Sequence, residues 1–400
     1  MDTKKRWLVL FATFIAWTLG SFDKVAINVA LIPIAKEFAL TPTQSGAIMS
    51  AFALGSTCMI LFAGYLADKF RAENVLMIAM VLWTFLTGFS GLAWSFSSML
   101  AIRCVFGAAE GVFPPSSSVI VSKWFHRSQF ATAKSVLLSC TYLGTAFGTA
   151  LVGFLIYYQG WRLSFLILAV LGILGTIFYG AVVRFKDKEV LQAVKLAGSD
   201  KVPLREVLKN PIVWKTSVFQ FGAGAFQWGF VSWLPQYWVD VKGLDIRTMG
   251  VYSILPALIS FLVTILMGHL LDKYFEGKER VLMLFAIILA GVSTFLMYNA
   301  ESVLAGFIYQ STASIGVGMM VPTVYALVLK YVRKDLIGTS TALTAFGTSL
   351  SGILVPILMG YSITLLDGSY AAVFGIFIAV LVVCGMLAAT IRTDKLRASA

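Results

Sequence analysis

Gly64-Tyr65-Leu66-Ala67-Asp68-Lys69 closes one long apolar stretch of this chain, and Gly268-His269-Leu270-Leu271-Asp272-Lys273 closes another, 204 residues later. Recurring at the same place relative to an apolar run, the pattern marks an internal duplication. A second echo has nearly the same offset: Pro115, Lys123 and Trp124 return as Pro322, Lys330 and Tyr331, 207 residues on. Two halves of one topology are therefore expected, residues 1–184 and 214–400. Residues 185–213 join them, carrying Lys186, Lys188, Lys195, Lys201, Arg205 and Lys209 among Asp187, Glu189, Asp200 and Glu206. That composition reads as a solvated cytoplasmic linker with room for a surface amphipathic helix.

Each half is made of apolar stretches. Of 400 residues 59% are hydrophobic and 12% charged, against about 45–50% and about 25% in soluble domains. Windows of about 19 residues, each able to cross a hydrocarbon core of about 30 Å, recur throughout. The expected spans are 7–32, 45–67, 74–95, 99–121, 133–157, 162–184, 214–239, 250–271, 281–299, 303–329, 340–362 and 370–391. Lipid offers no partners to backbone amides, so the spans must be helices. The fold class is an all-α membrane protein of twelve transmembrane helices in two six-helix bundles.

The net charge of +12 suggests nucleic acid until the basic residues are located. Nearly all lie at the N-terminus, in loops after even-numbered spans, or at the C-terminus. Only Lys36, Arg162, Lys242 and Arg247 occupy the alternate loops, and Lys24 and Arg103 lie inside spans. This asymmetry is the positive-inside rule: both termini are expected in the cytoplasm, the partner is a lipid bilayer, and no nucleic acid is involved. The first span is too long for a removed signal peptide and lacks a small-residue cleavage site, so it reads as a retained helix. With no glycosylation acceptor and no extracellular domain, a bacterial inner membrane is the expected setting. Cys58, Cys104, Cys140 and Cys384 fall in apolar spans and show no disulfide or metal spacing, so neither a metal nor any other cofactor is expected.

Four formal charges stand well inside the spans: Asp23, Lys24, Arg103 and Glu110, all in the N-terminal half. Each costs at least about 2.5–3.5 kcal/mol near the bilayer centre, so they should face the bundle interior and act in function. At a rise of 1.5 Å per residue, Asp23 lies roughly 24 Å up the first span, Arg103 near the outer end of the fourth, and Glu110 about 10 Å deeper. Arg103 and Glu110 share a face of that helix, being nearly two turns apart. Asp23 and Arg103 are matched in depth and can pair, leaving Glu110 alone below them. Burial favours the neutral form of an unpaired carboxyl, so Glu110 is the first candidate proton carrier and Asp23 the second. Lys24 and Arg103 are then the cations available to an anionic substrate, Arg as a bidentate fork and Lys as a mobile point charge.

The Gly64-xxx-Asp68-Lys69 segment with Arg71 beyond it resembles the loop motif of the major facilitator superfamily, usually Gly-xxx-Asp-Arg-x-Gly-Arg. Here Arg71 replaces the second Gly and Ala72 the last basic residue. A narrower resemblance, over essentially the whole chain, is to the anion:cation symporters, which include galactonate, glucarate and hexuronate transporters and sialin. It rests on Phe22-Asp23-Lys24-xxx-Asn28, Arg103-x6-Glu110-x3-Pro114, Gly160-Trp161-Arg162-x2-Phe165 and Trp233-Leu234-Pro235-x-Tyr237. The resemblance implies proton-coupled symport of a small organic anion by alternating access between two halves. It gives Asp23 and Glu110 as proton sites, the basic residue after Asp23 as carboxylate anchor, and Arg103 as partner of Asp23. Asp68, Lys69, Asp272 and Lys273 become latches of the cytoplasmic gate. A monomer is expected.

The sequence departs from the sugar-acid members at several places. Lys24 stands where Arg is usual, Ser21 and Ser56 where those members carry tyrosine, and Ser349 and Thr141 where they tend to carry an amide. A smaller carboxylate or a sulfonate therefore competes with a sugar acid as substrate. In the second half, Gln220, Gln227, Trp228, Trp233, Tyr237, Tyr309, Gln310, Ser314 and Ser349 are candidates to line the cavity, each also open to reading as packing. Gly144, Gly148, Gly153, Gly347, Gly352 and Gly360 with Pro356 permit close helix approach and bending.

Three other readings compete with anion transport. A membrane enzyme needs a nucleophile, base or metal constellation, and the two histidines, His126 and His269, sit near cytoplasmic ends without ligand spacing; no enzyme is expected. A non-transporting receptor would bind without flux. A proton-driven exporter of cationic drugs would meet repulsion from Lys24 and Arg103.

Overall fold

A computed structural model describes residues 3–125, 130–183, 204–275, 277–332 and 336–391. In chain order the helices are α1 (Thr3–Glu37), α2 (Pro42–Lys69), α3 (Ala72–Gly91), α4 (Phe96–Glu110), α5 (Phe113–Trp124), α6 (Phe130–Val183), α7 (Leu204–Lys209), α8 (Pro211–Asp240), α9 (Ile246–Tyr252), α10 (Ile254–Lys273), α11 (Glu279–Tyr298), α12 (Val303–Tyr331), α13 (Ile337–Leu365) and α14 (Ala371–Ala389).

Local chemistry sets several of these limits. Ser95 caps α4 by accepting from Ser98 N, Ser302 caps α12 by accepting from Ala305 N, and Asn210 does the same for α8 ahead of Pro211. The expected fourth span is not one helix: α4 ends at Glu110, Gly111 and Val112 intervene, and Pro114 and Pro115 restart the chain as α5. The expected fifth and sixth spans are the two limbs of α6, which turns at Gly160, where φ is +75°. That left-handed value favours glycine. The turn presents Trp161 Nε1 and Arg162 Nη1 to Glu37 Oε2 at 2.7 and 2.6 Å, and Arg162 Nη2 to Ala93 O at 3.2 Å.

Among the described residues nine segments are long and apolar enough to cross a membrane, the α6 segment containing both limbs. α2 and α8, of 28 and 30 residues, are not among them. Ile78, Phe85, Leu174, Val281, Ile288 and Leu304 present exposed apolar surface on these helices, as a lipid-facing surface requires.

The chain divides into two compact units. The first comprises Met1–Leu40, Ala47–Gly198 and Leu244–Val251, the second Thr41–Gly46, Ser199–Gly243 and Tyr252–Ala400. Within the first, α1 packs along α6 and α3 against α4 and α6; within the second, α8 packs along α13 and α12 along α11 and α10. Glycines allow these contacts. A methyl on Gly55 or Gly107 would lie about 2 Å from the carbonyls of Cys104 or Phe52, so α2 and α4 meet backbone to backbone.

The duplication extends to glycines and ion pairs. In the second unit Gly46 meets Pro356 O and Gly360 meets Pro42 O, while in the first Gly250 meets Thr149 O and Gly153 meets Ile246 O. In the first unit Lys123 Nζ lies 2.6 Å from Glu73 Oε1, with Trp124 Nε1 at 3.4 Å. In the second, Lys330 Nζ lies 3.3 Å from Glu279 Oε1, with Tyr331 OH 3.4 Å from Oε2. Each glutamate sits in the first turn of its helix, where the dipole favours an anion.

Most of the expected linker, and His126, lie outside the described residues. The part that is described holds α7 and the first residues of α8; Val207 of α7 packs with Ile212, Val213, Val328, Val332 and Leu336 in the second unit. Asp68, Lys69, Asp272 and Lys273 fall at the ends of α2 and α10. Their side chains, and so the latch expected of them, lie outside the described residues.

Candidate functional site

The four charges inside the apolar spans converge in the first unit. Asp23, Arg103 and Glu110 are each at most 3% exposed, and Lys24 is half-buried. They lie within electrostatic reach of one another: Glu110 feels Lys24 and Arg103, and Asp23 feels Arg103 and Glu110. α1 supplies Asp23 and Lys24, and α4 supplies Arg103 and Glu110.

The expected Asp23–Arg103 pair does not form among the described residues. Asp23 Oδ2 instead accepts from Thr87 Oγ1 on α3 at 2.8 Å, the hydroxyl also lying 3.0 Å from Trp83 O. Arg103 is held by aromatic faces, its Cζ 4.4 Å from the Phe106 ring centroid and 5.5 Å from that of Phe52. Lys24 Nζ lies 5.1 Å from the same Phe52 ring. Asp23 and Arg103 are within electrostatic reach of each other, but the direction that Arg103 takes around its helix turns the guanidinium onto the rings.

The polar valences left over define what the site can do. Among the described residues, Arg103 Nε and Nη2, Asp23 Oδ1 and both Glu110 oxygens are buried without a hydrogen-bond partner. Nε and Nη2 together form the side-on fork that fits a planar carboxylate. Buried polar groups are nearly always satisfied, so such a cluster calls for a ligand or a proton. Glu110 stands at the break between α4 and α5, its Oε1 3.9 Å from where a methyl on Gly20 would lie, beside the Trp83 indole. Glu110 is therefore without a hydrogen-bond partner among the described residues, yet it stands within electrostatic reach of Lys24 and Arg103 rather than apart from them. Thr87, Phe52, Phe106 and Trp83 were not foreseen.

Two of the departures in sequence acquire surroundings. Thr141 Oγ1 accepts from Trp17 Nε1 at 3.0 Å, and the Trp17 indole stacks on Phe113 at 3.7 Å. Ser21 Oγ is buried without a partner among the described residues.

The sequence profile described as Major Facilitator Superfamily matches residues 7–356. The chain belongs to the Major Facilitator Superfamily. As a member it is similar to the hexuronate transporter of Bacillus subtilis (strain 168), 27% identical, covering 90% of this chain and 89% of that protein. It is also similar to the probable sulfoacetate transporter of Cupriavidus necator, 25% identical over 92% of this chain and 89% of the other. A probable galactarate/D-glucarate transporter of Escherichia coli (strain K12) is 25% identical, covering 93% and 92%. The solved structure of a bacterial homolog of the human lysosomal transporter Spinster superposes with a TM-score of 0.80 at 18% identity, covering 100% of this chain and 98% of that one. The superfamily fold and a multi-pass membrane protein follow.

In the second unit of this superfamily member, Gln227 and Trp228 on α8, Tyr309 on α12 and Ser349 on α13 are half-buried. Gln310 Oε1 accepts from Trp238 Nε1 at 2.9 Å, tying α12 to α8. Tyr237 lies in an aromatic cluster with Trp238, Tyr370 and Phe374. Trp233 Nε1 donates to Pro356 O at 3.1 Å. Tyr237, Gln310 and Trp233 thus have packing roles inside the unit, and Gln220 Oε1 is buried without a partner among the described residues.

Proposed function

We propose that the chain is a secondary active transporter that carries a small organic anion together with protons, by alternating access. The observation that supports this most is the buried quartet of Asp23, Lys24, Arg103 and Glu110, with an Arg103 fork and three carboxylate oxygens that bond nothing among the described residues. Two cations and two carboxyls sum to zero. Adding an anion to a desolvated neutral cluster is costly, and adding a proton with each unit of negative charge cancels that cost. Glu110 is the proposed proton carrier, Asp23 the second proton site, and Lys24 and Arg103 the anion's cations. Within the second unit, Gln227, Trp228, Tyr309 and Ser349 are proposed hydrogen-bonding groups for the same substrate, and the sequence placement of Asp68, Lys69, Asp272 and Lys273 supports a gating role.

The relatives' names refer to hexuronate, galactarate or glucarate, galactonate and sulfoacetate, all small organic acids. A sulfonate is the second reading, favoured by Ser21 and Ser56, which thin the hydroxyl-reading set. The distribution of basic residues supports a cell membrane, bacterial, with both termini inside.

The test is uptake into proteoliposomes of radiolabelled glucuronate, glucarate, galactonate and sulfoacetate, with and without an inward proton gradient. Accumulation of one or more of them only with the gradient is the expected result. Uptake of organic cations alone, or of no anion, would contradict it.

A further inference from the structure

We infer that Phe52 is the positioning residue of the anion site, a role that rests on the anion reading above. One ring serves both cations. Lys24 Nζ and Arg103 Cζ lie 5.1 and 5.5 Å from its centroid, although they come from different helices, α1 and α4.

Two like charges brought to one buried place repel each other; Asp23 and Glu110 oppose that repulsion through space without a hydrogen bond to Arg103 Nε or Nη2 among the described residues. A carboxylate in direct contact would consume the donors that a substrate needs. An aromatic ring does not: its negative face attracts a cation without accepting a conventional hydrogen bond. The Arg103 fork, Nε and Nη2, accordingly stays without a partner among the described residues while the guanidinium lies against the neighbouring rings of Phe52 and Phe106.

Phe52 is itself fixed. Its ring is buried, and it packs on Phe106 with centroids 5.9 Å apart at 44°. Its backbone is pressed against Gly107, where a methyl would lie 2.0 Å from Phe52 O, and Gly55 and Gly111 hold the same seam against Cys104 and Ser56. α2 cannot slide along α4 without breaking that seam, so the ring is a fixed reference for the spacing of Lys24 and Arg103. Because each cation is bound to it, the separation of the two can be no more than about twice the ring-to-cation distance. The ring therefore sets which oxyanions can engage both.

A packing role and a positioning role are separated by fluorination, which weakens the ring's negative face with little change of shape. The full-length protein carrying phenylalanine, 4-fluoro-, 3,5-difluoro- or 3,4,5-trifluorophenylalanine at position 52 is reconstituted, and exchange of glucuronate, glucarate, galactonate and sulfoacetate is measured. Half-saturation is expected to rise stepwise, by about tenfold across the series, with the maximal exchange rate held within about twofold. Exchange with a flat half-saturation across the series overturns the role of Phe52 alone. No exchange of glucuronate, glucarate, galactonate or sulfoacetate by the unmodified protein overturns the anion reading and this role with it.

Discussion

The hydroxyl of Thr87 lies 2.8 Å from Asp23 Oδ2, joining α3 to the charged turn of α1 where an Arg103 partner was expected. A hydrogen bond to a charged, buried group is worth about 1.5–3 kcal/mol. Thr87→Val should lower thermal stability in detergent, and Thr87→Ser should restore much of it. With Asp23→Asn the two effects should be non-additive by about 1 kcal/mol or more. Simple additivity would mean that the contact contributes nothing.

The mirrored pairs Lys123–Glu73 and Lys330–Glu279 differ in a way that predicts unequal costs. Glu73 is 2% exposed and Lys123 11%, whereas Glu279 is 0% and Lys330 24%. Removing one partner of a buried pair costs about 3–5 kcal/mol, because the other charge stays behind. Lys123→Met should therefore destabilise more than Lys330→Met, whose contact is longer and wetter. Adding Glu73→Gln to Lys123→Met should recover most of the loss, as read by melting of the purified protein.

Glycines separate into two groups. Gly55→Ala and Gly107→Ala drive a methyl to within 1.9 and 2.0 Å of backbone carbonyls that cannot withdraw, so both should abolish folded yield. Gly375→Ala, on α14, meets nothing within 4 Å. It should stabilise by about 0.5–1 kcal/mol through reduced freedom of the unfolded chain. Size-exclusion profiles and melting temperatures check both.

Asp245, ahead of α9, takes hydrogen bonds from Thr248 N at 2.9 Å and Thr248 Oγ1 at 2.6 Å. The Thr248 hydroxyl and amide hold its carboxyl below the ordinary Asp range. A lowered folded value means stability present above the unfolded pKa of about 3.9 and lost as pH falls through the folded one. Asp245→Ala should lower the melting temperature at neutral pH and make progressively less difference below about pH 4.

The sequence made the architecture legible because lipid leaves few options. Apolar windows, the recurrence of Gly64-xxx-Asp68 at Gly268-xxx-Asp272, and charges that cannot be idle in hydrocarbon each had one economical reading. The burial of Glu110 was legible for the same reason. What stayed hidden depends on direction around a helix. Axial depth placed Asp23 level with Arg103, yet the azimuth that turns Arg103 onto Phe52 and Phe106 has no linear signal. Thr87 looked like any threonine bonding its own helix, which it also does at Trp83 O. Glu73 and Glu279 lie one residue and two residues outside the expected spans, where a carboxylate reads as solvated, so their pairing with Lys123 and Lys330 has no linear signal. The break after Glu110 could have been taken from Gly111 with Pro114 and Pro115.

The proposed role of Glu110 as carrier of the coupled proton is open to direct test. Wild type and Glu110→Gln are reconstituted side by side, and the anion that responds in the uptake panel is followed in two modes, counterflow exchange and accumulation driven by an inward proton gradient. Glu110→Gln is expected still to exchange the anion at a rate near wild type but not to concentrate it. Gradient-driven accumulation undiminished in Glu110→Gln would contradict that role.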